Sequence, residues 1–193
     1  MAQSVSNIVL PGPCRVYIAP SGTAAPASSV SKNTEWGGSW VEVGFTEGGV
    51  VLKQSTEYFE KMVDQYNASV ADFVTEQTGE VTFGASEATL LNIRQALGYG
   101  TITAGSTEST LGISGADGFP TYYAVGFEVF GPGASSSNNY YRRAVVWKAL
   151  PKSEVELNGK KDESMVVQYT MRATIDTSQA ATERLWKLID RVA

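Results

Sequence analysis

Between Thr56 and Gly84 the sequence stays extended for longer than a small domain can cover. From Thr56 to Gln65, Phe59, Lys61 and Val63 fall on one face, and Tyr58, Glu60, Met62 and Asp64 on the other. Tyr66-Asn67-Ala68-Ser69 supplies a turn. From Val70 to Gly84, Ala71, Phe73, Val81 and Phe83 share one parity, while Asp72, Val74, Glu76, Thr78, Glu80 and Thr82 share the other. Two such segments around a turn make one antiparallel hairpin. It is too long to lie wholly on a compact domain, so its tip, at about 63–73, is expected to project.

A helix is expected directly after it, over 86–97. Ser86 can cap it, Glu87 suits its first turn, and Leu90, Ile93 and Leu97 recur at helical spacing. Gly98 is a natural stop. Elsewhere the pattern is of strands. Cys14 to Ala19 is a short one, and Trp40 to Phe45 alternates up to a glycine turn at Thr46 to Gly49. Val50 to Gln54 begins the next. A short strand is expected at Leu111 to Ile113, and Pro120 to Phe130 pairs with Tyr140 to Leu150 across a flexible loop. Pro151 breaks that strand, Lys152 to Leu157 resumes it, and Asn158-Gly159 reads as a two-residue turn. Met165 to Asp176 is the cleanest amphipathic strand. Residues 178–192 carry Ala181, Leu185, Leu188, Ile189 and Val192 at helical spacing, which favours a C-terminal helix over a short strand at LWKLI. Residues 20–39 form a long loop that Trp36 anchors on the body, and 99–119 form another.

The resulting expectation is a mainly β (α+β) chain: an antiparallel β-sandwich or barrel with one packed helix, a long projecting hairpin and a possible C-terminal helix. Its 193 residues suit a single domain, with an arm at 1–13 and a terminal segment at 177–193.

Composition narrows the chemistry. There is no histidine, which removes the commonest general base and the commonest metal ligand. A single cysteine, Cys14, permits neither an internal disulfide nor a cysteine-based zinc site. The acids Asp72, Glu76, Glu80, Asp162, Glu163 and Asp176 read as solvated strand and corner positions, not a catalytic pair. Gly115 to Gly118 has one acid and no calcium-loop spacing. Tyr122, Tyr123, Phe127, Tyr140, Tyr141 and Trp147 read as core and subunit interface. The net charge of −5 argues against tight phosphate binding. No enzyme activity, metal or cofactor is expected, nor a signal peptide or membrane-spanning helix.

Three segments together resemble a known family. VEVGFTEGGVVL gives strand, glycine turn and strand; VDQYNASVADFVTEQTGEVTFGASEATLLNIRQALG gives a projecting hairpin, a strand and a helix; RRAVVWKALPKSEVELNGKKDESMVVQYTMRATID gives three closing strands. From about Val41 to Asp176 the chain resembles the major tail tube protein of long-tailed, siphovirus-type bacteriophages. That fold is shared with the tube protein of type VI secretion.

The resemblance implies a virion protein of the tail, assembled in the host bacterial cytoplasm. Its rings, usually of six subunits, join edge to edge and stack into a conduit for DNA ejection. The implied partners are the chain itself, the tape measure protein, the tail terminator and baseplate proteins, with transient non-specific passage of DNA and no membrane. On this view Asp72, Glu76 and Glu80 line the lumen and repel phosphates. Val63, Asp64, Gln65, Tyr66, Asn67, Val70 and Phe73 make ring-to-ring contacts, and the terminal arms reach outward likewise. The alternatives are another component of the same fold (tail terminator, baseplate hub or secretion tube) and a carbohydrate-binding β-sandwich.

Overall fold

The structure, a computed structural model, describes residues 12–116, 118–135, 138–152, 154–157 and 164–191. Its elements are β1 (Arg15–Pro20), β2 (Val41–Glu42), β3 (Thr46–Lys61), β4 (Ala71–Ala85), α1 (Leu90–Leu97), β5 (Thr101–Ala104), β6 (Ser109–Gly112), β7 (Tyr123–Phe130), β8 (Tyr141–Pro151), β9 (Val167–Ala173) and β10 (Trp186–Arg191). Eight of the strands make one antiparallel sheet in the order β2-β1-β7-β8-β9-β4-β3, with β10 paired to β8 off that path. β5 and β6 form a small separate hairpin.

The mainly β expectation holds, and the sheet is not closed into a barrel among the described residues. It ends on β3 at one side and on the two-residue β2 at the other. One face carries the larger core. Val16 and Ile18 from β1, Val81 and Phe83 from β4, Val125 from β7, Val146 from β8, and Tyr169 and Met171 from β9 pack there with Ile93 and Ala96 of α1. Phe83 and Tyr169 are cross-strand partners whose rings stack at 4.4 Å. The Tyr169 hydroxyl donates to the carbonyl of Asn92, which ties α1 to β9. Alternation in β4 and β9 thus does what a period of two requires: it sends one set of side chains inward.

Among the described residues, the opposite face is covered at only one end. There the loop between β1 and β2 lays Trp36 and Trp40 over Tyr17, Ala19, Ala124, Val145 and Trp147. Trp36 stacks on Tyr17 at 4.4 Å, so it anchors the loop as its sequence context predicts. Gly126 permits this approach, since a Cβ there would lie 2.3 Å from the Trp36 ring.

Three local expectations fail for identifiable reasons. The helix begins at Leu90, not at Ser86: Thr89 is the cap, and its hydroxyl accepts from the Asn92 amide at 3.1 Å. Glu87 instead reaches back to accept from the Phe45 amide. Gly98 does end the helix, in the left-handed conformation at φ 79°. The paired glycines Gly48 and Gly49 do have positive φ, but they make no turn. β3 runs straight through them, and they form an irregularity where the register with β4 shifts between Glu47 and Val50.

The third failure is the C-terminal helix. Residues 186–191 are the strand β10, Trp186 opposite Val146 and Arg191 opposite Tyr141. β9 covers β8 only at Ala149 to Pro151, so the rest of that edge offers a ladder of backbone partners. Closing it outweighs a helical pattern over a short segment. The bonded pair Arg142–Asp190 clamps the new strand in place, Nε to Oδ1 at 2.7 Å and Nη2 to Oδ2 at 2.7 Å. The strand expected at 152–157 does not form among its described residues, and β6 sits at Ser109–Gly112. The Asn158-Gly159 turn, Asp162, Glu163 and most of the N-terminal arm lie outside the described residues.

Candidate functional site

The projecting hairpin exists as expected. β4 pairs with β9 only from Gly79 to Ala85, while its pairing with β3 continues to Ala71. At about 3.3 Å per residue, the stretch from Thr78 to Ala71 carries the ribbon about 26 Å past the shared sheet. Residues 62–70 form its tip. Tyr66 and Val70 are exposed there, as is Phe73 on the adjoining strand. Val63 is half-buried, and Asp64, Gln65 and Asn67 are exposed.

The face of β3, β4 and β9 that turns away from the core is polar and uncovered among the described residues. Cross-strand partners share a face, so the register writes its composition. Lys53, Glu80 and Arg172 form one row across three strands. Val51, Thr82 and Thr170 form the row below; Ser55 and Thr78, then Glu57 and Glu76, form the rows above. Arg172 also reaches toward Glu76, at 3.9 Å. Two carboxylates directly opposite each other, Glu57 and Glu76, repel; the nearby guanidinium offsets part of that. Glu76 and Glu80 therefore do share a face, but basic groups flank them.

Asp72 does not join them. A register shift lies between Glu57 and Tyr58: Glu57 pairs with Glu76, yet Tyr58 pairs with Val74, which leaves Thr75 as an extra residue. Such a bulge flips the parity of everything beyond it. Asp72, opposite Glu60, thus falls on the face opposite to Glu76 and Glu80. The shared parity read from the sequence is broken by one residue, and its hydroxyl neighbour Ser69 bonds the Asp72 carboxylate locally at 2.6 Å.

Sequence reasoning missed one polar centre. Under the loop that bears Trp36, Arg143 on β8 donates from Nε to Glu128 on β7 at 2.7 Å, and both side chains are 3% exposed or less. Arg143 Nη2 also donates to the Val30 carbonyl at 2.9 Å, and the Asn33 amide donates to the other Glu128 oxygen at 2.7 Å. The guanidinium stacks over Tyr141, 3.7 Å from the ring centroid. This fully bonded pair nails the loop to the sheet. The adjacent arginines Arg142 and Arg143 were the available signal: neighbours on a strand point to opposite faces, so one of them had to be buried or covered.

Other titratable groups are tuned by local contacts. Arg142 bonded to Asp190 holds that carboxyl below the usual range, and hydrogen bonds from Ser178 do the same to Asp176. Burial pushes the Cys14 thiol up to about 11, so it stays protonated near neutral pH. A surface cleft lies between the hairpin stem and β10, lined by residues that include Gln54, Gln77, Ile175, Glu183, Leu185 and Trp186. It is open to solvent, and the Glu183 carboxylate on its wall is paired with Lys187 at 2.7 Å.

Among the described residues, this surface offers a long edge strand without an outer partner, an uncovered polar sheet face and a projecting tip with exposed apolar side chains. A sequence-family model described as a phage tail tube protein matches residues 1–189. Among curated proteins, no match was found.

Proposed function

The chain belongs to the family of phage tail tube proteins, and from that premise we propose that it assembles into stacked rings of six subunits whose common bore conducts DNA from capsid to host. The family is one of structural virion proteins of the tail, so no catalytic role is assigned. Self-assembly is implied by the family; the ring and the DNA conduit are the finer reading.

One observation carries that reading: the sheet ends on β3, a 16-residue strand with no partner on its outer side among the described residues. In a lone protein such an edge invites uncontrolled pairing. In a ring, β3 of one subunit adds to the far end of its neighbour's sheet, and closure leaves no edge. The polar face then lines the bore, which assigns Glu76 and Glu80 to its wall. Asp72, on the other face, leaves that assignment. The tip residues Val63, Asp64, Gln65, Tyr66, Asn67, Val70 and Phe73 reach the next ring. The tape measure protein occupies the bore during assembly, and the terminator and baseplate proteins cap its ends. Assembly takes place in the host cytoplasm.

Electron microscopy of the purified full chain tests this. Long tubes of stacked rings are the expected result, with Glu76 and Glu80 on the inner wall of a reconstruction. Isolated rings that never stack indicate a terminator or hub instead. A protein that stays monomeric at every concentration overturns the reading.

A further inference from the structure

β9 and β10 lie end to end, like one strand with a detour in it. Both run antiparallel to the same edge of β8. β9 ends with Ala173 opposite Ala149, the Thr174 amide donates to the Lys148 carbonyl at 2.7 Å, and β10 resumes with Trp186 opposite Val146. Residues 175–185 therefore leave the edge of β8 and return to it almost where they left. The Asp176 amide donates to the Arg184 carbonyl at 3.0 Å and closes the neck of this excursion. Inside it, the Asp176 carboxylate accepts from the Ser178 amide at 3.0 Å and from the Ser178 hydroxyl at 2.6 Å. The Glu183 amide donates to the Ala180 carbonyl at 3.0 Å, and Trp147 Nε1 donates to the Glu183 carbonyl at 2.7 Å, which ties the excursion to β8. Close ends and internal bonding define an Ω-loop, a kind of surface loop that frequently carries function.

We infer, for the single chain and independently of any ring, that this Ω-loop is a brace: it holds Leu185 and Trp186 in the fork where the hairpin leaves the sheet, and so fixes the direction in which the hairpin points. The fork lies at Gly79, where the pairing of β4 with β9 stops opposite Ala173. Beyond it the β3–β4 ribbon has no third strand among the described residues, and a two-stranded ribbon twists readily. Trp186 Nε1 donates to Gln54 Oε1 at 2.7 Å, and Gln54 is the β3 partner of Gly79. Gly79 keeps the fork narrow: a Cβ there would lie 3.1 Å from the Ala173 Cβ and 3.7 Å from Leu185 Cδ2. On the other face of the ribbon Arg172 and Glu76 approach to 3.9 Å, but both are about half exposed, and such a pair is too weak to hold an angle alone.

The cleft lined by Gln54, Gln77, Ala181 and Leu188 leaves the ribbon room to tilt. Over a reach of about 26 Å, a tilt of about 10° at the fork carries the end of the ribbon about 4.5 Å, close to the spacing of a whole strand. Residues 56–78 hold five carboxylates, Glu57, Glu60, Asp64, Asp72 and Glu76, against the single Lys61, so the hairpin carries four of the chain's five net negative charges. Hairpins standing side by side in the proposed ring would repel, and the brace opposes the tilt that this repulsion drives.

Spin labels at Asn67→Cys in the tip and Glu35→Cys in the bonded loop over β1, in a Cys14→Ala background, read the spread of tip-to-body distances in the dispersed full chain. One narrow distance peak is expected. Gln54→Leu removes the acceptor and Trp186→Phe the donor, and each should broaden the peak by several ångströms. Gln54→Glu keeps an acceptor oxygen and should keep the peak narrow. The bond is exposed, so Gln54→Leu should leave the urea midpoint in place. A peak that stays narrow in Gln54→Leu and Trp186→Phe, one already broad before either change, or one that broadens equally in Gln54→Glu overturns the brace. The chain is dispersed throughout, so the brace fails or holds separately from the tube, which micrographs test.

Discussion

Arg143 is the largest fully buried side chain among the described residues, and it is charged. Removing one member of a buried pair strands the other without compensation, at about 3–5 kcal/mol. Arg143→Met is therefore expected to cost that much in urea unfolding and to release the loop that bears Trp36. The double variant Arg143→Met, Glu128→Leu should recover much of the loss, since an apolar replacement of both is often neutral. Asp190 is a milder case. Its carboxyl is held below the ordinary range by Arg142, so its stabilisation is complete above about pH 4, the unfolded value. It fades as pH falls through the lower folded value. The side chains are about a third exposed, so Asp190→Asn should cost no more than about 1 kcal/mol at pH 7. The difference from the unmodified chain should shrink in unfolding curves as the pH is lowered through and below that folded value.

At the scale of elements, the hairpin is separable from the core. Phe59 and Phe73 touch little when the chain is alone, so changes there fall within about 0.5 kcal/mol of neutral for folding. Deleting 63–73 and closing the ribbon with a short turn should leave the melting temperature of the body nearly unchanged while abolishing long tubes in micrographs. Unchanged tube length and yield would refute the ring-to-ring role of the tip. The same scale shows where sequence reading succeeds. Alternation exposes β4 and β9 through Val81, Phe83, Tyr169 and Met171, because a strand with one buried face must repeat every second residue. Helical spacing exposes α1 through Leu90, Ile93 and Leu97. What defeats it is pairing. Nothing local to Thr75 announces a bulge, since the bulge exists only in the register with β3. Gly48 and Gly49 advertise positive φ but not whether the partner strand continues past them. Residues 186–191 carry a helical stripe, and the vacant edge of β8 decides otherwise. The Arg143–Glu128 pair likewise joins residues whose neighbourhood only the sheet order creates.

For the whole molecule, the sheet is an open band whose two ends differ in length, with its charge gathered in the hairpin. On the proposed ring reading, an object of that kind would add to its own copies in one direction. The row Lys53, Glu80, Arg172 has a consequence once such bands close around a hole. Strands lie about 4.8 Å apart, so the row is a chain of alternating signs at that pitch. Glu57 and Glu76 stand on the same face, so these rows hold three acids against two bases and leave about one negative charge per copy on the wall. A polyanion moving along the axis would then feel a weak, evenly repeated repulsion with no site to settle on, and added salt would screen it.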